Sequence, residues 1–138
     1  MNDRDKEWII YSIEDVNTHL ADLRGGHVVP PKTIVFRCDF PHAYSHLVDS
    51  LDGALTLASD FFKQLACAKP LLFDLEFHDR DYPFFTPFLM YSLLKEVAGQ
   101  VRSLKLANVD RVPGWRFVRM LKLLGSTLEE FSNESTIQ

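Results

Sequence analysis

The feature that most constrains this chain is a two-residue alternation of apolar and polar side chains within short segments. The stretch FDLEFHD turns Leu75 and Phe77 to one side of a strand, and the other side receives Asp74, Glu76 and His78. The same alternation recurs in RSLKLAN. Parallel strands covered on both faces usually read as continuous apolar runs. Because burying unpaired carboxylates is costly, the pattern predicts a sheet with helices on one face and water on the other.

Strand and helix patterns alternate along the whole chain. Apolar residues at helical spacing separate the strand segments and predict four helices. The predicted strands are Glu7–Ile13, Thr33–Phe40, a strand within Pro70–Asp79, Val101–Val109 and Thr127–Asn133. This order predicts an α/β fold of repeating strand–helix units, with a mainly parallel sheet joined by right-handed crossovers.

Two helices carry specific predictions about their side chains. Ser12 and Asp15 form a capping-box pattern at the start of the first helix. The last helix is expected to turn four apolar residues inward at three-residue spacing, namely Trp115, Val118, Leu121 and Leu124.

The bulk properties indicate one domain, residues 1–138, of an ordinary globular protein. The net charge of −4 and the pI of about 5.7 argue against DNA as a partner and disfavour RNA. No apolar run approaches the ~20 residues of a membrane span, and the charged start MNDRDKEW lacks the apolar region of a secretory signal. Cys38 and Cys67 are interpreted as reduced and buried, and a disulfide between them is the alternative. We therefore expect a soluble cytoplasmic protein, with a nuclear location as the alternative.

The strands also match the repeat pattern L-x-x-L-x-L. The best matches are Val101-x-x-Leu104-x-Leu106 and Leu72-x-x-Leu75-x-Phe77, and the weaker ones are Trp8-x-x-Tyr11-x-Ile13, Thr33-x-x-Phe36-x-Cys38 and Leu128-x-x-Phe131-x-Asn133. Their spacings are 25, 39, 29 and 27 residues, and the longest is assigned an insertion in PHAYSHLVDSLDG. In these residues, and in VRSLKLANV…MLKLLGSTLEEF, the chain resembles leucine-rich-repeat proteins of the ribonuclease-inhibitor-like and F-box-associated type. The resemblance implies helices on one face and an open strand face that binds protein partners.

A second resemblance leads to a different class of function. KPLLFDLEFHDRD, followed by a helix and VRSLKLANV, is similar to the core of a STAS domain. That family implies a regulatory switch controlled by phosphorylation or a nucleotide. Asp74-Leu75 matches the end of its strand, but DYPFFT stands where the family has DSSG, so Thr86 is the one local phosphorylation candidate.

The preferred hypothesis is a non-enzymatic adaptor, or a subunit of a larger assembly, that binds a protein partner on its open strand face. Arg37 and Lys105 are expected to face the carboxylates of the central strand. The predicted partner-binding residues are Arg37, Asp39, Asp74, Glu76, His78, Ser103 and Lys105.

Three other clusters have both a functional and a simpler interpretation. The acidic run that contains Asp74, Glu76, Asp79 and Asp81 could form a catalytic or metal-binding pair, but a solvated, charge-complementary face is favoured. His42 and His46 have the i, i+4 spacing of metal ligands without a third ligand. No catalytic residue, metal or cofactor is therefore predicted, and a small-molecule enzyme is the third hypothesis. The last helix carries a candidate basic patch for an acidic partner or RNA, although a solvated helix face is the simpler reading: Arg111, Arg116, Arg119 and Lys122.

Overall fold

The computed structural model describes residues 6–26, 28–37, 51–78, 87–107 and 114–134. Strands and helices alternate strictly along these ranges. In chain order the elements are β1 (Glu7–Ile10), α1 (Ile13–Gly25), β2 (Thr33–Phe36), α2 (Leu51–Ala66), β3 (Phe73–His78), α3 (Pro87–Glu96), β4 (Val101–Ala107), α4 (Gly114–Leu124) and β5 (Glu130–Asn133).

The strands form one sheet in the order β1-β2-β3-β4-β5, and every neighbouring pair is parallel. In a sequential order each crossover advances in the same direction, so crossovers of one hand place all helices on the same face. Burial agrees, because the inward side chains of the strands and the apolar faces of the helices form one core. The predicted α/β fold of repeating strand–helix units is confirmed.

Two rows of side chains cross the inner face of the sheet. Strand pairing aligns Trp8, Ile34, Leu75, Leu104 and Phe131 in the first row, and Ile10, Phe36, Phe77, Leu106 and Asn133 in the second. The last three repeat matches have this phase. The first two repeat matches are displaced along their strands. In β1 the inward pair is Trp8 with Ile10, three residues before the predicted pair, and in β2 it is Ile34 with Phe36, two residues before the predicted pair. Tyr11 is 58% exposed, since β1 ends at Ile10 and the chain turns into α1.

Phe36 is the centre of the core. Its ring stacks on Phe77 with centroids 4.9 Å apart and on Phe62 at 5.5 Å, and Phe61 meets it edge-on at 6.1 Å. Aromatic pairs of this kind contribute about 0.5–1.5 kcal/mol each beyond the area that they bury. The cluster therefore stabilises the packing of α2 against β2 and β3.

Side-chain hydrogen bonds connect successive strand–helix units at the edge where the strands begin. Gln100, which precedes β4 and is 1% exposed, donates from Nε2 to the carbonyls of Leu65 (3.1 Å) and Leu71 (3.3 Å). Thr127, which precedes β5, donates from Oγ1 to the carbonyl of Val101 at 3.0 Å. Each side chain thus reaches back to the backbone of the preceding unit, and we call these contacts the inter-unit hydrogen bonds.

The predicted inward face of α4 is partly wrong. Trp115 is 54% exposed and Val118 is 51% exposed, whereas Met120 and Leu124 are buried. Each residue of an α-helix advances by about 100°, so a step of three falls about 60° short of a full turn. Three such steps carry the pattern from the outer to the inner side of the helix.

Two smaller predictions also need correction. Ser12 caps α1 without a side-chain hydrogen bond, and the Asp15 carboxylate accepts the N–H of Tyr11 at 2.8 Å. Cys67 carries a free thiol, but it is exposed because α2 ends at Ala66 and Cys67 lies in the following turn. Cys38 lies outside the described residues.

Candidate functional site

The open strand face is the side of the sheet opposite the helices. Strand pairing aligns one of its rows as Glu7, Thr33, Asp74, Ser103 and Glu130, and the next as Ile9, Val35, Glu76, Lys105 and Ser132. A third row pairs His78 with Ala107. The structure therefore brings five of the seven predicted partner-binding residues together: Asp74, Glu76, His78, Ser103 and Lys105.

The other two predicted residues belong to the segment after β2. Arg37 follows β2 directly and is exposed, and its backbone N–H donates to the carbonyl of Ile10 at 2.8 Å. Asp39 lies outside the described residues. Arg37 is thus held beside β1 by its backbone, and its side chain is exposed.

An ion pair between Asp74 and Arg102 lies at the centre of the open strand face. Arg102 donates from Nε to Oδ1 of Asp74 at 3.0 Å and from Nη2 to Oδ2 at 2.5 Å. The side chains are 31% exposed for Arg102 and 17% exposed for Asp74. The hydrogen bond with Asp74, aided by the attraction of its charge, raises the pKa of Arg102 further above its already high ordinary value. Both carboxylate oxygens of Asp74 are thus engaged in a two-pronged pair.

The sequence reasoning missed Arg102. The register between β3 and β4 shifts between Phe73 and Asp74, which pair with Val101 and Ser103. Arg102 is therefore the additional residue of a β-bulge, and its side chain turns away from the core. The available signal was a charged residue at a position that strict alternation assigns to the core.

Further charged contacts follow the face toward β5. The His78 ring nitrogen Nε2 lies 3.2 Å from Oε1 of Glu76. Lys105 is aligned with Glu76 by strand pairing, but its Nζ forms its ion pair with Glu134, at 3.8 Å. Arg102, rather than the predicted Arg37 or Lys105, thus pairs with a carboxylate of β3 among the described contacts, while Lys105 reaches the far edge of the sheet.

Apolar side chains interrupt these charges. Ile9 is 37% exposed and is the apolar side chain that a partner could contact, whereas Val35 and Ala107 on the same side of the sheet are buried, at 2% and 3% exposed. Among the described residues, the open strand face therefore combines one exposed apolar side chain with fixed charged groups. Such a mixture can contact a folded surface by packing and by polar bonds together.

The candidate basic patch is only partly described. Arg119 and Lys122 are exposed on α4. Nothing is described of the Arg116 side chain or of Arg111. Several other residues that the sequence singled out also lie outside the described residues: His42, His46, Asp79, Asp81 and Thr86.

Two searches of the described residues bear on metal and membrane binding. No three His, Cys, Asp or Glu side chains in these ranges are grouped as a metal site requires. None of the helices in these ranges is long and apolar enough to cross a membrane.

Comparison with protein-family models, with curated proteins and with solved structures finds no match for this chain.

Proposed function

We propose that this chain is a non-enzymatic protein–protein interaction module, an adaptor or a subunit of a larger assembly, that binds its partner on the open strand face. The observation that carries the proposal is a sheet of sequentially ordered parallel strands whose one face is covered by helices and whose other face presents rows of partly exposed polar side chains. The resemblance to leucine-rich repeats implies the same use of this face. Because fold alone does not determine function, the proposal depends on the side chains of the face.

Those side chains suit binding because several are already fixed before a partner arrives. The two-pronged pair between Arg102 and Asp74 holds both side chains, and His78 holds Glu76 at 3.2 Å. Charged groups that are ordered in advance lose less conformational entropy on binding than free side chains do. The rigid backbone of the sheet adds to this, since every strand is paired with its neighbour.

The charges of the face favour a partner with a basic or mixed surface. Carboxylates outnumber cations there among the described residues: Glu7, Asp74, Glu76 and Glu130, together with Glu129 and Glu134 that pair with its cations, stand against Arg102 and Lys105. Complementary charge raises the association rate and selects among partners more than it raises affinity. We expect a protein partner in the cytoplasm or nucleus.

A charge-reversal variant tests the proposal. Glu76→Lys with Ser103→Arg changes two neighbouring rows of the face and adds bulk on its solvent side. The matched control makes the same two changes, and the same change in net charge, on the exposed surface of α3 with Glu96→Lys and Ser92→Arg. Both variants are first checked for a cooperative urea transition.

The tagged protein and both variants are then used in quantitative pull-downs with mass spectrometry. We expect the face variant to lose its main partner at least about tenfold, while the control keeps it. If the two variants retain the same partners in the same amounts, the open strand face is not the binding surface.

Two alternative proposals lead to different outcomes. A STAS-like regulatory switch predicts that Thr86→Ala abolishes kinase- or nucleotide-dependent binding. A small-molecule enzyme predicts that a substrate or metal ion raises the melting temperature in a concentration-dependent way. Either result, together with an unaffected face variant, would replace the adaptor proposal.

A further inference from the structure

The outer surface of α4 carries exposed apolar and basic side chains side by side. Trp115 and Val118 are 54% and 51% exposed, which is high for residues of their size and hydrophobicity. Arg119 and Lys122 are exposed on the same helix. We call these four residues the α4 outer surface, and it lies in the helix layer, on the other side of the sheet from the open strand face.

The charge of α4 contrasts with that of the whole chain. The helix segment GWRFVRMLKLL contains three basic residues and no acidic residue, whereas the chain has a net charge of −4. Among the described residues, neither Arg119 nor Lys122 forms an ion pair, although Arg24, Arg102 and Lys105 each have a carboxylate partner. The α4 outer surface therefore presents positive charge that no described carboxylate neutralises.

Arg119 is held in position by aromatic rings. Its guanidinium carbon lies 5.4 Å from the ring centroid of Tyr91 on α3 and 6.0 Å from that of Trp115. A guanidinium stacked on rings keeps its N–H donors at the edge, where they can bind a carboxylate with two hydrogen bonds. The aromatic contacts thus order the cation in advance and lower the entropy lost on binding.

We propose that the α4 outer surface docks an acidic protein segment, which places a carboxylate on Arg119 and an apolar side chain against Trp115 and Val118. The positive charge without a described partner determines the sign of the segment, and the exposed aromatic and aliphatic side chains require that it also carry an apolar anchor. This surface and its partner are independent of the open strand face.

Two other classes of partner fit the same surface less well. A basic amphipathic helix binds membranes by inserting its apolar side, but the apolar side of α4, with Met120 and Leu124, is buried in the core. A nucleic acid is repelled by the net charge of −4. Both are included as competing outcomes of the experiment.

The experiment measures direct binding of defined probes to the full chain. The first probe is a fluorescein-labelled synthetic helical peptide that carries a row of glutamates beside a row of leucines. Its two controls replace every glutamate with glutamine, or every leucine with serine. Phosphatidylcholine–phosphatidylserine vesicles and a 20-nucleotide oligouridine serve as the membrane and RNA probes. A Trp8→Phe background leaves Trp115 as the one tryptophan of the chain, so its emission reports contact at the α4 outer surface.

We expect saturable binding of the glutamate–leucine peptide with a blue shift of Trp115 emission, and weaker binding of both control peptides. Arg119→Glu with Lys122→Glu should weaken this binding by about tenfold or more, whereas the matched charge reversals Lys63→Glu and Lys95→Glu, at exposed positions on α2 and α3, should leave it unchanged.

Four outcomes overturn the proposal. They are no binding of the acidic peptide, equal binding of the glutamine peptide, tighter binding of the vesicles or the oligouridine, and a Trp115 shift caused by self-association of the chain in light scattering.

Discussion

Replacing Gln100 with methionine tests how much the inter-unit hydrogen bonds stabilise the fold. Gln100 is 1% exposed, and its Nε2 donates to the carbonyls of Leu65 and Leu71 at 3.1 and 3.3 Å. Methionine has a similar length and no donor, so it removes both bonds and leaves the packing volume nearly unchanged.

The substitution leaves one of the two carbonyls with a hydrogen bond and the other without one. The Leu65 carbonyl still accepts the N–H of Ala68 at 3.0 Å, whereas the Leu71 carbonyl accepts no other hydrogen bond among the described contacts. One lost bond and one unsatisfied carbonyl together cost about 2–3 kcal/mol. The Oε1 of Gln100 is itself buried without a partner, and replacing it with an apolar group recovers about 1 kcal/mol of desolvation. The net loss in the free energy of unfolding should be about 1–2 kcal/mol.

Equilibrium urea unfolding, followed by far-ultraviolet circular dichroism, measures this loss. With a typical dependence on urea, the midpoint should fall by about 0.5–1 M without a change in slope. Lys95→Met is the matched control, because it introduces the same side chain at an exposed position of α3 and should change stability by less than about 0.5 kcal/mol. If the Gln100 variant is as stable as this control, the inter-unit hydrogen bonds do not stabilise the fold.

Three further predictions concern stability. Burial against Trp8 lowers the pKa of His19 below its ordinary 6.5. Between pH 6.5 and the lowered pKa, the folded chain therefore binds fewer protons than the unfolded chain does. The free energy of unfolding should therefore decrease from pH 6.5 down to the lowered pKa. In urea titrations at pH 7.5 and 5.5, this decrease should be larger for the unmodified chain than for His19→Phe, and an equal decrease in both proteins would contradict the reasoning. Asp74→Asn and Arg102→Gln should each destabilise, and the double variant should cost less than their sum in a double-mutant cycle, whereas additive costs would show that the pair does not interact. Phe36→Ala should lower the free energy of unfolding, measured by calorimetry, by about 3–5 kcal/mol. A loss no larger than that of an ordinary surface variant would contradict the central place of Phe36 in the core.

The sequence predicted the layers of the fold because alternation reports burial directly. In β3 and β4 the two-residue period separates Leu75 and Leu104 from Glu76 and Lys105, and the structure places the first two inside and the last two on the open strand face. The same reasoning supplied the order of elements. Both are local properties of the chain, so no knowledge of tertiary contacts was needed.

The errors concern phase and register, which neighbouring elements decide. The apolar pattern of β1 continued through Tyr11, but pairing with β2 ends at Ile10 and assigns the inward positions. Arg102 was missed because the bulge that turns it to the open strand face exists only in the pairing of β3 with β4. Trp115 was assigned to the core because a three-residue spacing looks helical over one turn and drifts over three.

The two proposed surfaces differ in charge and lie on different layers, and this limits how one partner could use them. Carboxylates prevail on the open strand face, whereas Arg119 and Lys122 make the α4 outer surface basic. The sheet separates the two surfaces, so a small partner that is complementary to one is both distant from the other and mismatched in charge. If both proposals hold, the chain connects two different neighbours, which favours a subunit of an assembly over a simple adaptor. A saturating amount of the acidic peptide should then leave the strand-face partner bound in a pull-down, and displacement of that partner would show that the two surfaces do not act separately.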